Sequence, residues 1–546
     1  KYIISSRRTN LTRMDWEFLK IRLLLAVGLL MTPFEVSCYN ILIIHPTPSI
    51  SHQQPAMALT KALVERGHQV YVVSTNPVPG LENNYTYVDM SYMYTFFAKG
   101  EDAKQSHWQT QLTKWDFLDI FPHILAVPEF EFKSEAFQKF SRQVADENIQ
   151  FDIVVGEMIY APHICGITEY LAKGKPLVGL STLNGDMFSE DALGSIAHAS
   201  FYAFFDSYSD RLTIWQKLDS WYTMLYIEYK AKQLAWGMAE KFFRENYDQN
   251  YSVAVARDSC YSRISLTMFS SNFLYGYPRL LPPNVIELGP LHIKNPQKLP
   301  QNLQNWLDGA EKGVIYLSLG SNMKSKSLPK AVLANFLQFF KELPSGYRVL
   351  WKWEDNSKIP GQSSNILTQK WMPQQDVLAH PKVIAFITQG GLQSFQEAVH
   401  YGVPLIGIPW FGDQEFNVGK MVNAGIGTRI TPQELHSFEA VEAAISTVLF
   451  DESYMKNMKR LSAVSRDFTS NAINKAVFWV EHVAKHGGAD HLRPSTAGTT
   501  YFEYFCWDII STILAISLVL IGGLVLVIKL TISTIRSKLE GKTKQS

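Results

Sequence analysis

The sequence predicts an α/β chain of two doubly wound domains facing a cleft, with a membrane helix near the C-terminal end. Three observations predict this. Short, unbroken apolar runs alternate with helical stretches in two separate series. Prolines cluster between the two series, at Pro278, Pro282, Pro283, Pro290, Pro296 and Pro300. Near the end, Ile509 to Ile528 runs without a single charge.

At 546 residues the chain is too long for one hydrophobic core. Hydrophobic residues make up 46% and charged residues 18%, a globular balance. Lys and Arg total 51 against 50 Asp and Glu, a net charge of +1. Nucleic acid is therefore not an expected partner, since binding it usually needs a basic excess on one face. Four cysteines occur, with no CxxC pair, so no zinc site is expected. Cys38 and Cys506 lie near the ends. Cys165 and Cys260 are either a disulfide or two isolated buried thiols, and the fold is not expected to depend on disulfides.

The first series opens with Ile41 to Ile44, apolar throughout, as in a strand buried on both faces. A helical pattern from about Gln53 to Arg66 carries Met57, Leu59, Leu63 and Val64, and Gly67 stops it. Val70 to Val73 is the next strand, completing a right-handed βαβ opening. Phe151 to Val155 and Pro176 to Leu180 read as further buried strands. Residues 190–250, rich in aromatics, read as long helices beside a hydrophobic space. After the proline cluster, strands are expected at 314–317, 348–351, 383–388 and 404–408, with a helix over about 328–343. No GxGxxG follows any of these strands, so no dinucleotide cofactor is indicated.

Both ends carry targeting signals. Met14 is the expected start, followed by Lys20 and Arg22 and then an apolar run from Leu23 to Met31. That is the layout of a signal peptide over 14–38, cleaved near Ser37 to Tyr39. At the other end, Ile509 to Ile528 spans about 30 Å as a helix, the thickness of a bilayer core. Lys529, Arg536, Lys538, Lys542 and Lys544 follow it, so the tail 529–546 is expected in the cytoplasm and the bulk of the chain in the lumen. Asn84-Tyr-Thr86 and Asn250-Tyr-Ser252 are N-glycosylation sequons. Lys542 to Ser546 is similar to the dilysine signal that returns type I proteins to the endoplasmic reticulum.

The chemistry-bearing run is 371–417. In Phe386-Ile-Thr-Gln-Gly-Gly-Leu-Gln-Ser-Phe-Gln-Glu-Ala398 a strand ends at Thr388, two glycines turn, and a helix begins near Gln393. Backbone N–H groups and the helix dipole make such a start a ready anion site. Leu392, Phe395, Ala398 and Val399 are expected on the buried face, with Gln393 and Glu397 on the other. Around it stand Trp371-Met-Pro-Gln374, Asp376-Val-Leu-Ala-His-Pro381, Glu397 to Pro404 and Gly407-Ile-Pro-Trp-Phe-Gly-Asp-Gln414-Glu-Phe-Asn417.

This block resembles the UDP-glycosyltransferase family, and the resemblance extends over the lumenal chain, the anchor and the tail. Gln389, where histidine is more usual, and Glu157, where aspartate is, look most like arthropod and baculoviral members. The resemblance implies a GT-B fold, with an acceptor-binding domain over 39–290 and a UDP-sugar-binding domain over 291–490. A juxtamembrane segment at 491–508 and the membrane helix at 509–528 follow. It implies that Trp371 stacks on uracil, Gln374 bonds the nucleoside and Glu397 accepts from the ribose hydroxyls. Asp413 and Gln414 would hold sugar hydroxyls. Ser321, Gln389, Gly390, Gly391 and Gln393 would face the diphosphate, and Lys352 would reach the nucleotide. Gln389 offers a neutral amide where histidine offers a cation, so more of the phosphate charge falls to the helix terminus.

The base implied is His52, in Pro46-Thr-Pro-Ser-Ile-Ser-His-Gln-Gln-Pro55 after the first strand, since imidazole can take a hydroxyl proton near neutral pH. His45 is a nearby rival at the strand end. Glu157 is the implied partner that holds the imidazole, with Asp152 as a fallback. The expected reaction is an inverting hexose transfer, glucose before glucuronic acid, to a hydroxyl of a small lipophilic acceptor. UDP-sugar is the co-substrate, with no metal and no further cofactor. Membrane lipid is an expected partner, and a homo-oligomer stays open. A silent carrier of lipophilic ligands on the same fold is the alternative, and such a carrier need not bind UDP.

Overall fold

The computed structural model describes residues 38–95, 111–195, 208, 212–321, 323–355 and 357–543. The expected signal peptide, except Cys38, and the last three residues of the tail lie outside the described residues.

Two parallel sheets carry the fold. The first contains β1 (Asn40–His45), β2 (Gln69–Ser74), β3 (Tyr85–Asp89), β4 (Ile153–Glu157), β5 (Leu177–Ser181), β6 (Ile264–Phe269) and β7 (Val285–Glu287). Its order is β3-β2-β1-β4-β5-β6-β7. The second contains β8 (Gly313–Ser318), β9 (Tyr347–Lys352), β10 (Ile366–Gln369), β11 (Val383–Thr388), β12 (Leu405–Gly407) and β13 (Gly427–Arg429), in the order β10-β9-β8-β11-β12-β13. All neighbouring strands pair in parallel. The proline-rich stretch is therefore not all linker, because Val285–Glu287 adds an edge strand to the first sheet.

The apolar runs become strands because both faces of each sheet are covered. Ile41 to Ile44 are fully buried. Leu42 and Ile44 join one core cluster with Phe121 and Phe242, while Ile41 and Ile43 join another with Leu59 and Leu63. The second sheet repeats this, with Val314 and Tyr316 on one face and Ile315 and Leu317 on the other.

The helices that matter here are α1 (Ile50–Glu65), α2 (Ala161–Leu171), α3 (Met187–Ala192), α4 (Ile214–Asn246), α5 (Val253–Arg263), α6 (Leu392–Tyr401), α7 (Gln414–Asn423), α8 (Ala472–His486), α9 (Tyr501–Tyr504) and α10 (Trp507–Thr543). Helix α1 starts three residues before its apolar periodicity shows, so His52 stands on its first turn and not in a loop. Helix α8 falls in the 291–490 stretch, yet its apolar face belongs to the first sheet. Ala472, Ala476, Val477, Val480 and Val483 pack in one cluster with Ile41 and Leu59. Glu481 fastens it, accepting from Arg66 Nη2 at 2.9 Å and lying 3.0 Å from His68 Nε2.

One alternative left open by the sequence is settled. Cys165 on α2 and Cys260 on α5 form a disulfide, with Cα atoms 5.5 Å apart and 95 residues between them in sequence. The two helices meet only after α4 has run its 33 residues and the chain has turned back, which local sequence does not reveal. Cys38 and Cys506 lie outside this bridge, and both are exposed.

The candidate membrane span covers Trp507–Leu539, with mean hydropathy 2.8 and none of its most apolar stretch buried. The helix does not stop at Ile528. No breaker follows Lys529, and Leu530, Ile532 and Ile535 keep it apolar between the basic residues.

Candidate active site

Ligand sites in open parallel sheets form at the carboxyl ends of the strands, where the strand order reverses. In the first sheet the reversal lies between β1 and β4. His52 follows β1 and Glu157 ends β4, so both sit at that point. In the second sheet the reversal lies between β8 and β11. The turn Leu319-Gly-Ser321 follows β8, and Gln389-Gly-Gly391 follows β11.

His52 Nδ1 is 3.0 Å from Glu157 Oε1 and 2.9 Å from Thr182 Oγ1. Facing a carboxylate, Nδ1 carries the proton, which leaves Nε2 as the basic lone pair. The imidazole is partly open to solvent, with 21% of the side chain exposed, while Glu157 is buried. Thr47 clamps Glu157 by donating from its backbone N at 3.0 Å and its hydroxyl at 2.7 Å. Burial alone would raise the Glu157 pKa. The nearby His45, the bond to His52 and the Thr47 hydroxyl outweigh burial and pull it down to about 2. Glu157 is therefore an anion at neutral pH.

His45 is buried, and its Nδ1 lies 3.2 Å from Glu157 Oε2, an ion-pair distance without hydrogen-bond alignment. Burial lowers its pKa more than Glu157 raises it. Asp152 stands at the opposite end of β4, where its carboxylate accepts from the backbone N of Asn40 at 2.8 Å. It ties two strands together far from His52. Thr47 and Thr182 were not singled out from sequence. Thr182 follows β5 just as His52 follows β1, and the same strand-end rule would have found it.

Across the cleft, Trp371 is 64% exposed. Lys352 Nζ sits 5.9 Å from the centre of the Trp371 ring and donates to the Gly320 carbonyl at 2.7 Å. Gln374 donates to Glu397 Oε2 at 2.7 Å and to Ser394 Oγ at 2.9 Å. Gln375 donates to Glu397 Oε1 at 3.2 Å. Glu397 is buried, not on an open face as its helical position suggests, because Gln375 and the 288–300 segment cover that side of α6. His292 Nε2 lies 3.4 Å from Glu397 Oε1 and was also missed.

Gln389 Oε1 accepts from Gln414 Nε2 at 3.3 Å, and Gln414 Oε1 accepts from the backbone N of Trp410 at 2.8 Å. Asp413 Oδ2 accepts from Asn417 Nδ2 at 2.7 Å, and Asn417 also donates to the Gly390 carbonyl at 3.0 Å. Burial raises the Asp413 pKa, opposed by Asn417 and by His52 across the cleft. Ser321 is exposed on the β8 turn. Gln393 donates to the Thr182 carbonyl at 3.2 Å, so here its amide joins the two sheets and is not left facing the cleft alone.

Gly390 has φ +84°, and a Cβ there would lie 2.4 Å from Val418 Cγ2 on α7. Gly390→Ala is expected to cost about 1–3 kcal/mol of stability, measured by thermal unfolding. With uracil on Trp371, as the family resemblance implies, Trp371→Ala is expected to weaken UDP by roughly 5- to 150-fold, since base stacking on an aromatic contributes about 1–3 kcal/mol. Titration calorimetry with UDP checks it, and unchanged thermal stability shows that the fold is intact.

Beside the dyad lies a cavity of about 220 Å³. Ser181 and Leu183, which flank Thr182, line it together with Phe117, Phe121, Phe188 and Ile227. Its acidic groups are Asp186, Glu190, Glu228 and Glu287. Burial pushes Asp186 up to about 6, against bonds from Ser189 and from the backbone of Phe188. Arg279 pairs with Glu190 at 3.0 Å.

The comparisons agree with this geometry. The family model described as UDP-glucoronosyl and UDP-glucosyl transferase matches residues 41–545. UDP-glucosyltransferase 2 of Dactylopius coccus is 30% identical over 488 residues, 87% of this chain and 90% of that protein. The ecdysteroid UDP-glucosyltransferase of Spodoptera littoralis nuclear polyhedrosis virus is 29% identical, covering 86% of this chain and 93% of its own. UDP-glucuronosyltransferase 2B18 of Macaca fascicularis is 29% identical, covering 85% and 88%. Among solved structures, the glycotransferase of kitacinnamycin superposes with a TM-score of 0.54 at 16% identity, over 84% of this chain and all of that one. A UDP-glucosyltransferase from Polygonum tinctorium superposes with a TM-score of 0.53 at 14% identity, over 82% and 99%. With two parallel sheets in the GT-B arrangement and a family match along nearly its whole described length, the chain belongs to the UDP-glucuronosyl and UDP-glucosyl transferase family and is a UDP-glycosyltransferase.

Proposed function

We propose that this enzyme transfers glucose from UDP-glucose to a hydroxyl of a small lipophilic acceptor, with inversion and with His52 as the general base. The observation that carries the reading is the pairing of two switch points. The His52–Glu157–Thr182 cluster ends one sheet, and the Gln389-Gly-Gly391 turn ends the other, joined by the Gln393 to Thr182 bond. Nε2 takes the acceptor proton while Glu157 steadies the imidazolium. The acceptor oxygen attacks the anomeric carbon, and UDP leaves toward the N–H groups at the start of α6.

Trp371 stacks on uracil, Gln374 and Glu397 bind the nucleoside, and Asp413 and Gln414 hold the sugar. The Gln389–Gln414 amide pair is uncharged and suits a neutral hexose better than glucuronic acid. The cavity holds the acceptor. Its acids would repel a carboxylate, so phenols and alcohols fit better than acids.

The second domain faces the lumen of the endoplasmic reticulum together with the first, anchored by α10. An oxidising compartment suits the Cys165–Cys260 disulfide, and the sequon residues Asn84 and Asn250 are both exposed. The test is UDP release by the full chain in microsomes, with UDP-glucose or UDP-glucuronic acid and a panel of phenols. Faster turnover of UDP-glucuronic acid overturns the sugar assignment. No turnover with any donor, together with no UDP binding by titration, leaves the carrier reading.

A further inference from the structure

Helix α4 has two apolar faces. Ser220, Thr223, Ile227, Ala231, Ala235 and Ala239 are buried against the first domain. On the outside, Trp215, Leu218, Trp221, Tyr222, Tyr226 and Tyr229 are all exposed, Trp215 by 77%. Positions 215, 218, 222, 226 and 229 repeat at helical spacing, so they form one stripe along about 20 Å of the helix. Trp115 widens it, its ring 6.3 Å from Tyr222 and 6.2 Å from Tyr226. A surface this apolar marks an interface. Its composition points to the kind of interface, because Trp and Tyr pair an apolar ring with a polar tip and concentrate at the lipid headgroup layer.

The path of the chain brings this helix to the membrane. After α8 the segment 491–500 crosses the first domain. Arg493 donates to the Ala192 carbonyl at 3.2 Å, and Thr496 donates to the Gly194 carbonyl at 3.2 Å. Tyr501 then donates to Glu228 on α4 at 3.3 Å. Only six residues later α10 begins at Trp507, a reach of at most about 20 Å. Tyr501, Phe502 and Trp507 are themselves exposed and continue the aromatic surface from α4 to the membrane helix.

We propose that the outward stripe of α4 lies in the headgroup layer of the same bilayer that α10 enters, so that the first domain rests on the membrane through this helix. The other side of α4 lines the cavity with Met224, Ile227 and Glu228. A lipophilic acceptor dissolved in the bilayer is then one helix away from its site, a consequence that rests on the acceptor reading above.

The test is photocrosslinking of the full chain in phosphatidylcholine vesicles, with benzoylphenylalanine placed at Tyr222, at Trp507 or at the exposed Lys456 of the second domain. Adducts are read by mass spectrometry. The expected result is a phosphatidylcholine adduct at 222 in a yield comparable to that at 507, and none at 456. A yield at 222 no higher than at 456, or a protein adduct at 222 in place of lipid, overturns the proposal. Loss of lipid adducts at both 222 and 507 overturns it as well, by removing the bilayer from α10. The crosslink needs no turnover, so its failure and that of the transferase reading are separate results.

Discussion

His52→Ala is expected to lower kcat by about 10²- to 10⁴-fold while UDP binds as tightly as before. In the proposed mechanism His52 acts on the acceptor hydroxyl and not on the nucleotide. Its imidazole meets Glu157 and Thr182, both in the first domain. The substitution also leaves Glu157 supported, because the two Thr47 bonds remain at 3.0 and 2.7 Å. A fold defect is therefore not expected, and the side chain is partly exposed to begin with. Initial rates of UDP release, paired with titration of UDP on the same preparation, separate loss of chemistry from loss of binding. Undiminished turnover would remove His52 from the base role.

Breaking the disulfide is the second large effect. Cys165→Ala with Cys260→Ala is expected to destabilise the first domain by about 4–5 kcal/mol, the loop-closure contribution of a bridge across roughly a hundred residues. The bond joins α2 to α5 inside the cluster that also holds Ile164 and Phe243, so its loss loosens the face that supports β4 and β5. Among the described residues, those packed on the second sheet share no part of that cluster. Proteolysis should therefore open the first domain before the second. Mild reductant should reproduce the effect in the wild-type chain and add nothing in the double variant. Equal protease resistance of the two chains would contradict the prediction.

Much of the fold was legible because parallel strands buried on both faces are written as continuous apolar runs. Ile41 to Ile44 and Val383 to Thr388 needed no more than that. The reversal of strand order was not legible, since it is set by which strands pair and not by any one segment. That reversal is what brings His52 to Glu157 over 105 residues of sequence. Glu397 looked open by helical position, yet residues around His292 and Gln375, supplied from elsewhere in the chain, bury it. Helix α8 carries an ordinary apolar stripe that does not say which sheet it covers. Its Glu481, matched to Arg66 and His68, says so only once the fold is known. The disulfide stayed open for the same reason, as spacing alone does not tell a bridge from two buried thiols.

The proposed reaction, with the donor on the second sheet and the base on the first, is a single displacement across the cleft. The most direct measurement is the anomeric configuration of the product, read by NMR from UDP-glucose or UDP-glucuronic acid carrying ¹³C at the anomeric carbon. The α-linked donor should give a β-linked glycoside, formed about 10²- to 10⁴-fold more slowly when His52 is alanine. An α-linked product, or a β-linked product formed at the same rate without His52, would contradict the account.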